Sequence, residues 1–228
     1  MPGLRSHALA LCLLLAACPA YAFKVEIKGA NVSAYLRVGD GRIQGAPYTT
    51  STRAQDPDSQ WVFKDKDLPI RVAQRTRASA TLTPSQIGNG VPVPLVSDAT
   101  DLRSHYDDFL FCRPGEVYVG GFSRRPGNGG TDSVSLEVEP DTGTLSDGNG
   151  NHIPFTEISW TTRGNASGGG NEASQPILSG RFSAGRQTVA SFQVNWWHES
   201  CHQFYYLNSQ VVAAGEYNGT VTYTLSVP

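Results

Sequence analysis

The run Val221, Tyr223, Leu225 and Val227, alternating with Thr222, Thr224 and Ser226, repeats every two residues. That period puts alternate side chains on opposite faces of an extended strand and is incompatible with the 3.6-residue period of a helix. The habit recurs. Phe23, Val25 and Ile27 alternate with Lys24, Glu26 and Lys28, and Val134, Leu136 and Val138 alternate with Ser133, Ser135, Glu137 and Glu139. Further strand-forming runs fall at 32–38, 61–63, 70–72, 109–112, 117–119, 158–162, 189–197 and 204–207. One apolar and one polar face is the pattern of antiparallel sheets with one side wet. Between the runs stand Asp141-Thr142-Gly143, Asp147-Gly148-Asn149-Gly150, a glycine-rich stretch over 164–170, and Asn218-Gly219. These residues tolerate the positive φ that tight turns need. No stretch is amphipathic over helical length, and 55–60 and 83–90 are the places expected for a single helical turn. The chain therefore reads as all-β, a sandwich or partly open barrel.

The first residues read differently. Arg5 precedes an apolar run over 8–17 that is too short to span a bilayer, and Ala20-Tyr21-Ala22 is a small-x-small cleavage site. The expected division is a signal peptide over 1–22 and a single β domain over 23–228. Leu15-Ala16-Ala17-Cys18 offers a competing lipobox, which would leave a lipidated Cys18. Either route exports the chain to the periplasm, cell surface or a fimbrium. Cleavage after Ala22 would remove one of the 18 basic residues and none of the 20 acidic ones, giving a formal charge of −3. That balance carries no basic footprint for nucleic acid and no polybasic membrane patch.

Cys12 and Cys18 lie in the signal, so Cys112 and Cys201 remain, and two cysteines in an exported chain most simply pair with each other. Closing so long a loop is worth about 4–5 kcal/mol on the chain-entropy model.

His198-Glu199-Ser200-Cys201-His202 matches H-E-x-x-H, the signature of zinc peptidases. The chemistry needs both imidazoles on one helical face with the glutamate over a metal-bound water. The flanking Trp196, Trp197, Phe204, Tyr205 and Tyr206 are strand formers, and nothing marks a helix start before His198. Four residues of strand span about 13 Å, too far for two imidazoles to share one zinc. Tyr205 and Asn208 stand where a metzincin extension requires Gly and His, and Glu216 follows too closely for a thermolysin-like site. No metal, cofactor or catalytic residue is expected here, and the motif is read as strand or loop.

Other catalytic readings are weaker. No G-x-S-x-G elbow occurs, Asp107 and Asp108 after His105 read as a solvated loop, and Asp56-Pro57-Asp58 lacks the rest of a calcium loop. Gly168-Gly169-Gly170 is a loop tip with no strand-to-helix transition after it. Trp196, Trp197, Tyr205 and Tyr206 are the candidate residues for stacking on a sugar, since adjacent tryptophans in a strand face opposite ways.

The segment over roughly 130–228 resembles subunits of bacterial chaperone–usher fimbriae, in the archaic and alternative branches and the related spore-coat-protein-U-like domains. The residues that carry the likeness are Thr144 to Phe155 (TLSDGNGNHIPF), a Gly/Asn hairpin entering an Ile-Pro-aromatic strand; Gln187 within 182–190; and the final strand over 212–225 (VAAGEYNGTVTYTL). The resemblance implies an antiparallel immunoglobulin-like β-sandwich with long loops that lacks its last strand. A partner's strand then fills the open groove, first a chaperone's and later a neighbouring subunit's, a form of β-augmentation. In this sequence Val221, Tyr223, Leu225 and Val227 would form the strand-pairing edge of the groove, and 23–27 is the candidate donor. Three alternating apolar residues make a short donor, which favours a terminal, minor or self-contained member over a shaft subunit. The segment 39–108 has no counterpart in that family pattern.

The expected function is that of a secreted, non-enzymatic structural or adhesive subunit of a bacterial surface assembly. A periplasmic chaperone, an usher, fellow subunits and a surface glycan are its expected partners. A carbohydrate-binding β-sandwich module is the alternative, and a zinc metallopeptidase a remote one. Val221, Tyr223, Leu225 and Val227 are expected to face the core, with Thr222, Thr224 and Ser226 facing out.

Overall fold

In a computed structural model, residues 23–28, 33–44, 76–104, 109–124, 133–164, 177–194 and 197–226 are described. The expected signal and lipobox, the runs at 61–63 and 70–72, the turn at 55–60, the Asp56 and Gly168 loops, and His105 to Asp108 lie outside them, as do Trp196 and Val227. The strands, in chain order, are Phe23–Lys28 (β1), Ser33–Val38 (β2), Gly41–Gln44 (β3), Ala78–Ser79 (β4), Val93–Pro94 (β5), Val96–Ser97 (β6), Val117–Arg124 (β7) and Ser133–Pro140 (β8). Thr144–Ser146 (β9), His152–Pro154 (β10), Ile158–Gly164 (β11), Gly180–Arg181 (β12), Gln187–Gln193 (β13), His198–Tyr206 (β14) and Val221–Ser226 (β15) complete them. The single helical element among the described residues is a 3-10 turn, Phe155–Glu157. The fold is all-β.

Two larger sheets make up the body. One has the order β1-β15-β8-β13, and the other the order β12-β11-β14-β7-β2-β3, with β5 also pairing β14. Nearly every pairing is antiparallel; β1 instead runs parallel to β15, with Phe23 opposite Val221 and Ile27 opposite Leu225. The Asp-Gly-Asn-Gly run closes the β9–β10 hairpin, with Gly148 and Gly150 at positive φ. Both sheets feed one hydrophobic cluster: Val134, Leu136, Val138, Tyr223 and Leu225 from the first, and Leu36, Val119, Trp160 and Phe204 from the second. Phe192 of the first sheet stacks on His198 of the second at 4.0 Å between ring centroids, so these faces oppose each other.

Three expectations need correction. The run at 109–112 forms an isolated bridge between Leu110 and Arg103, not a strand, because the N–H groups of Phe111 and Cys112 both donate to the Leu102 carbonyl and no ladder continues. Thr83–Gly90 holds turns and no helix. Thr224 is buried, although Thr222 and Ser226 are partly exposed as expected of an outward face. β15 has a hydrogen-bonded strand on each side, β1 and β8, and Thr224 sits mid-strand directly opposite Glu137 of β8, where a small side chain between two strands is more enclosed than one near the strand ends.

Candidate functional site

β14 is central in its sheet and buried on both faces. Its core face carries His198, Ser200, His202, Phe204 and Tyr206; its outer face carries Glu199 and Cys201. The H-E-x-x-H match is therefore strand, where its aromatic flanks had left strand or loop open. The two imidazoles are wedged among aromatic rings, His198 on Phe192 and His202 against Trp160 and Phe204. Glu199, one residue on from His198, projects to the opposite face by strand alternation. The three groups cannot converge on one ion. Among the described residues, the one His/Cys/Asp/Glu grouping close enough to share a cation is Cys112, Glu116 and Cys201. Its two sulfurs are joined as a disulfide, with S–S 2.01 Å and Cα–Cα 5.4 Å.

His202 is enclosed. Its Nε2 lies 3.0 Å from Ser200 Oγ, while its Nδ1 is buried without a hydrogen-bond partner. Burial alone pushes its pKa down to about 3, so the ring is neutral at physiological pH. A serine beside a histidine has the makings of a nucleophile and base. Ser200 is 0% exposed and His202 1%, so no substrate reaches them in this fold.

The outer face holds a buried polar cluster that follows from one glycine. Gly120 on β7 stands in register between Arg37 on β2 and Glu199 on β14. A Cβ on Gly120 would meet the Tyr118 ring at 2.6 Å; the missing side chain leaves room for that ring to lie across the row. The phenol then donates to Glu199 Oε2 at 2.7 Å, while the Arg37 guanidinium covers the ring at 4.3 Å from its centroid. Burial chiefly, and Glu199 next, hold the Tyr118 hydroxyl well above the ordinary tyrosine range. Glu199 also accepts from Ser104 Oγ at 2.8 Å and Trp197 Nε1 at 3.1 Å. Arg37 donates to the carbonyls of Gly39, Asp101 and Arg103 and pairs with the Asp101 carboxylate at 3.1 Å. A buried carboxylate with three donors meets the ordinary requirement for burying a charge. The cluster ties residues 101–104 to the sheet, and Cys112–Cys201 ties Cys112 to the same strand. Its chemistry is that of a clamp.

Two of the sugar-stacking candidates, Trp197 and Tyr206, are buried. Trp197 is 2% exposed, sandwiched between Tyr35 and Phe122 at centroid distances of 5.2 and 5.5 Å, and Tyr206 is 7% exposed. Tyr205 is partly exposed, so a stacking role would rest on Tyr205 and on Trp196, the latter outside the described residues. Val221, Tyr223 and Leu225 face the core at 2%, 1% and 0% exposure. The expected strand-pairing edge is, however, not an edge: β1 lies along it in this chain.

Sequence reasoning missed the Gly120–Tyr118–Arg37 row. Gly120-Gly121 directly after the strand-forming run 117–119 was its one signal, since glycine inside a strand marks a close approach. No family model, curated protein or solved structure matches the chain. The disulfide fits an oxidising compartment, extracellular or periplasmic. No helix among the described residues is long and apolar enough to cross a membrane.

Proposed function

We propose that the protein is an exported, non-enzymatic structural or adhesive subunit of a bacterial fimbria-like assembly, completed by an exchangeable edge strand. The observation that carries this reading is the pairing of β1. Among the described residues its hydrogen-bonded neighbour is β15 alone, it runs parallel to that strand at the margin of an otherwise antiparallel sheet, and it comes from the far end of the sequence. Removing such a strand would interrupt no other pairing of its sheet and would uncover Val221 to Ser226 as an open edge. An uncovered edge of this kind recruits another strand. In this reading a periplasmic chaperone, or the first strand of a fellow subunit, takes the position that β1 holds in the isolated chain. The immunoglobulin-like sandwich, the usher and a surface glycan belong to the same proposal.

The test is a chain lacking Phe23–Lys28, secreted to the periplasm. It is expected to be unstable alone and to be restored by an added FKVEIK peptide, read as recovery of a cooperative unfolding transition and a one-to-one complex. A truncated chain as stable as the full one, or one that ignores the peptide, would refute the proposal.

A further inference from the structure

Asparagine is thermolabile because the backbone nitrogen of the next residue can attack its side-chain amide, and a following glycine, with no Cβ, leaves that nitrogen open. Three Asn-Gly pairs lie within the described residues: Asn89-Gly90, Asn149-Gly150 and Asn218-Gly219. The structure treats them differently. Gly90 donates its N–H to the Asn208 carbonyl at 3.0 Å, and Asn89 Oδ1 accepts from the Val91 N–H and from Asn208 Nδ2, each at 2.9 Å. Asn218 exchanges two backbone hydrogen bonds of 2.9 Å with Ser146, and a Cβ on Gly219 would lie 2.7 Å from the Phe155 ring. Asn149 and Gly150, by contrast, are both exposed in the β9–β10 turn. The Gly150 N–H has no hydrogen-bond partner among the described residues, and the space that a Cβ would take there is open. Asn149 Nδ2 has one long contact, 3.4 Å to the Asp147 carbonyl.

The adjacent Asp147-Gly148 pair has the same order of residue types and is closed to the same attack. Gly148 donates its N–H to Ser146 Oγ at 3.1 Å, and the Asp147 carboxylate accepts from the Asn149 and Asn151 N–H groups and from Asn151 Nδ2. The Asn151 side chain first, and the Asn149 N–H next, hold that carboxyl below its ordinary range. An ionised carboxylate is a poor target for a nitrogen nucleophile.

We propose that Asn149-Gly150 is a self-modification site, at which the folded β9–β10 turn converts selectively to aspartyl and isoaspartyl forms. The Gly150 nitrogen attacks Asn149 Cγ. The N–Cγ bond forms, the Cγ–Nδ2 bond breaks, and ammonia leaves with the proton lost from the Gly150 nitrogen. Water then opens the cyclic imide. At the Cγ carbonyl it gives an aspartyl residue, and at the main-chain carbonyl an isoaspartyl one, whose backbone is longer by a carbon. The sum is a water consumed and an ammonia released. Either product sets a second carboxylate beside Asp147, and the isoaspartyl form also shifts the N–H groups that Asp147 holds. The inference is independent of strand exchange, since β9 and β10 pair with each other in a sheet apart from β1.

The test incubates the full mature chain in mildly alkaline buffer, folded and in urea. Each pair is read by peptide mass spectrometry and by methyl transfer from S-adenosylmethionine with an isoaspartate methyltransferase. In the folded chain Asn149 should convert about tenfold faster than Asn89 or Asn218, a barrier difference of about 1.4 kcal/mol. Asp147 should gain no isoaspartate. In urea the three asparagines should convert at similar rates, because the hydrogen bonds that separate them are gone. Asn149→Gln should abolish methyl acceptance in the peptide over 144–155 and leave the rates at Asn89 and Asn218 unchanged. Equal rates at the three pairs in the folded chain would overturn the proposal. So would methyl acceptance over 144–155 that survives Asn149→Gln.

Discussion

Acid should destabilise this fold through His202, and the amount can be worked out. The unfolded ring titrates at the ordinary 6.5 and the folded ring at about 3, because burial disfavours the imidazolium. A folded pKa below the unfolded one means that the unfolded chain takes up a proton the folded chain refuses. The stabilisation from a neutral His202 is thus complete above pH 6.5 and is lost as pH falls toward about 3. The slope within that window is about 1.4 kcal/mol per pH unit. Between pH 7 and pH 5 the loss is about 2 kcal/mol, a substantial share of a typical domain's stability. His202→Gln removes the titration and keeps a polar group beside Ser200 Oγ. Urea unfolding at pH 7 and pH 5, on wild type and variant, isolates this contribution, since every other titrating group is shared. The wild type should lose about 2 kcal/mol more than the variant. Equal losses, or a His202 ring signal titrating near 6.5 in the folded protein, would refute the reasoning.

Three further outcomes are expected. Reducing Cys112–Cys201 should destabilise by about 4–5 kcal/mol on the chain-entropy model, measured as the shift in unfolding midpoint with and without reductant, and non-reducing mass spectrometry should find the linked peptides. Tyr223→Ala should cost about 3–5 kcal/mol and Thr222→Ala well under 1 kcal/mol by the same unfolding assay; equal costs would show the register to be wrong. Gly120→Ala should drive Tyr118 off Glu199 and cost about 3 kcal/mol, combining overpacking with loss of a bond to a buried charge, whereas Gly148→Ala in the open β9–β10 turn should cost only about 1 kcal/mol.

Period-two alternation made β1, β8 and β15 legible, and it put Val221, Tyr223 and Leu225 on the correct face. The same rule misjudged Thr224, because alternation reports the faces of a strand and not what lies on either side of it. The β9–β10 hairpin was legible from its Asp-Gly-Asn-Gly turn, and the disulfide from the cysteine count together with the expectation of export. What the sequence could not disclose was that β14 begins at His198. Its first five residues are largely polar, so hydrophobicity alone starts the strand at Phe204. The parallel partnership of β1 and β15 was equally hidden, since alternation names strands but not their neighbours.

Glu199, Ser200 and His202 sit in the middle of the molecule for two different reasons, and the difference explains why a match to the zinc-peptidase motif does not gather its side chains on one ion here. On the core face, His202 is tolerated as a neutral aromatic among Trp160 and Phe204, with Ser200 Oγ as its one polar neighbour. On the outer face, Glu199 remains where it is because the chain at 101–104 covers it and supplies Ser104, while β7 supplies Tyr118 across the gap left by Gly120. Remove that cover and the carboxylate becomes an ordinary exposed side chain of a half-wet sheet, which is the pattern the sequence led one to expect. The disulfide at Cys201 anchors the cover two residues along the same face from the charge it shields. A run that reads as polar, His198 to His202, is thus buried at every residue, through a loop clamp that only the three-dimensional arrangement discloses.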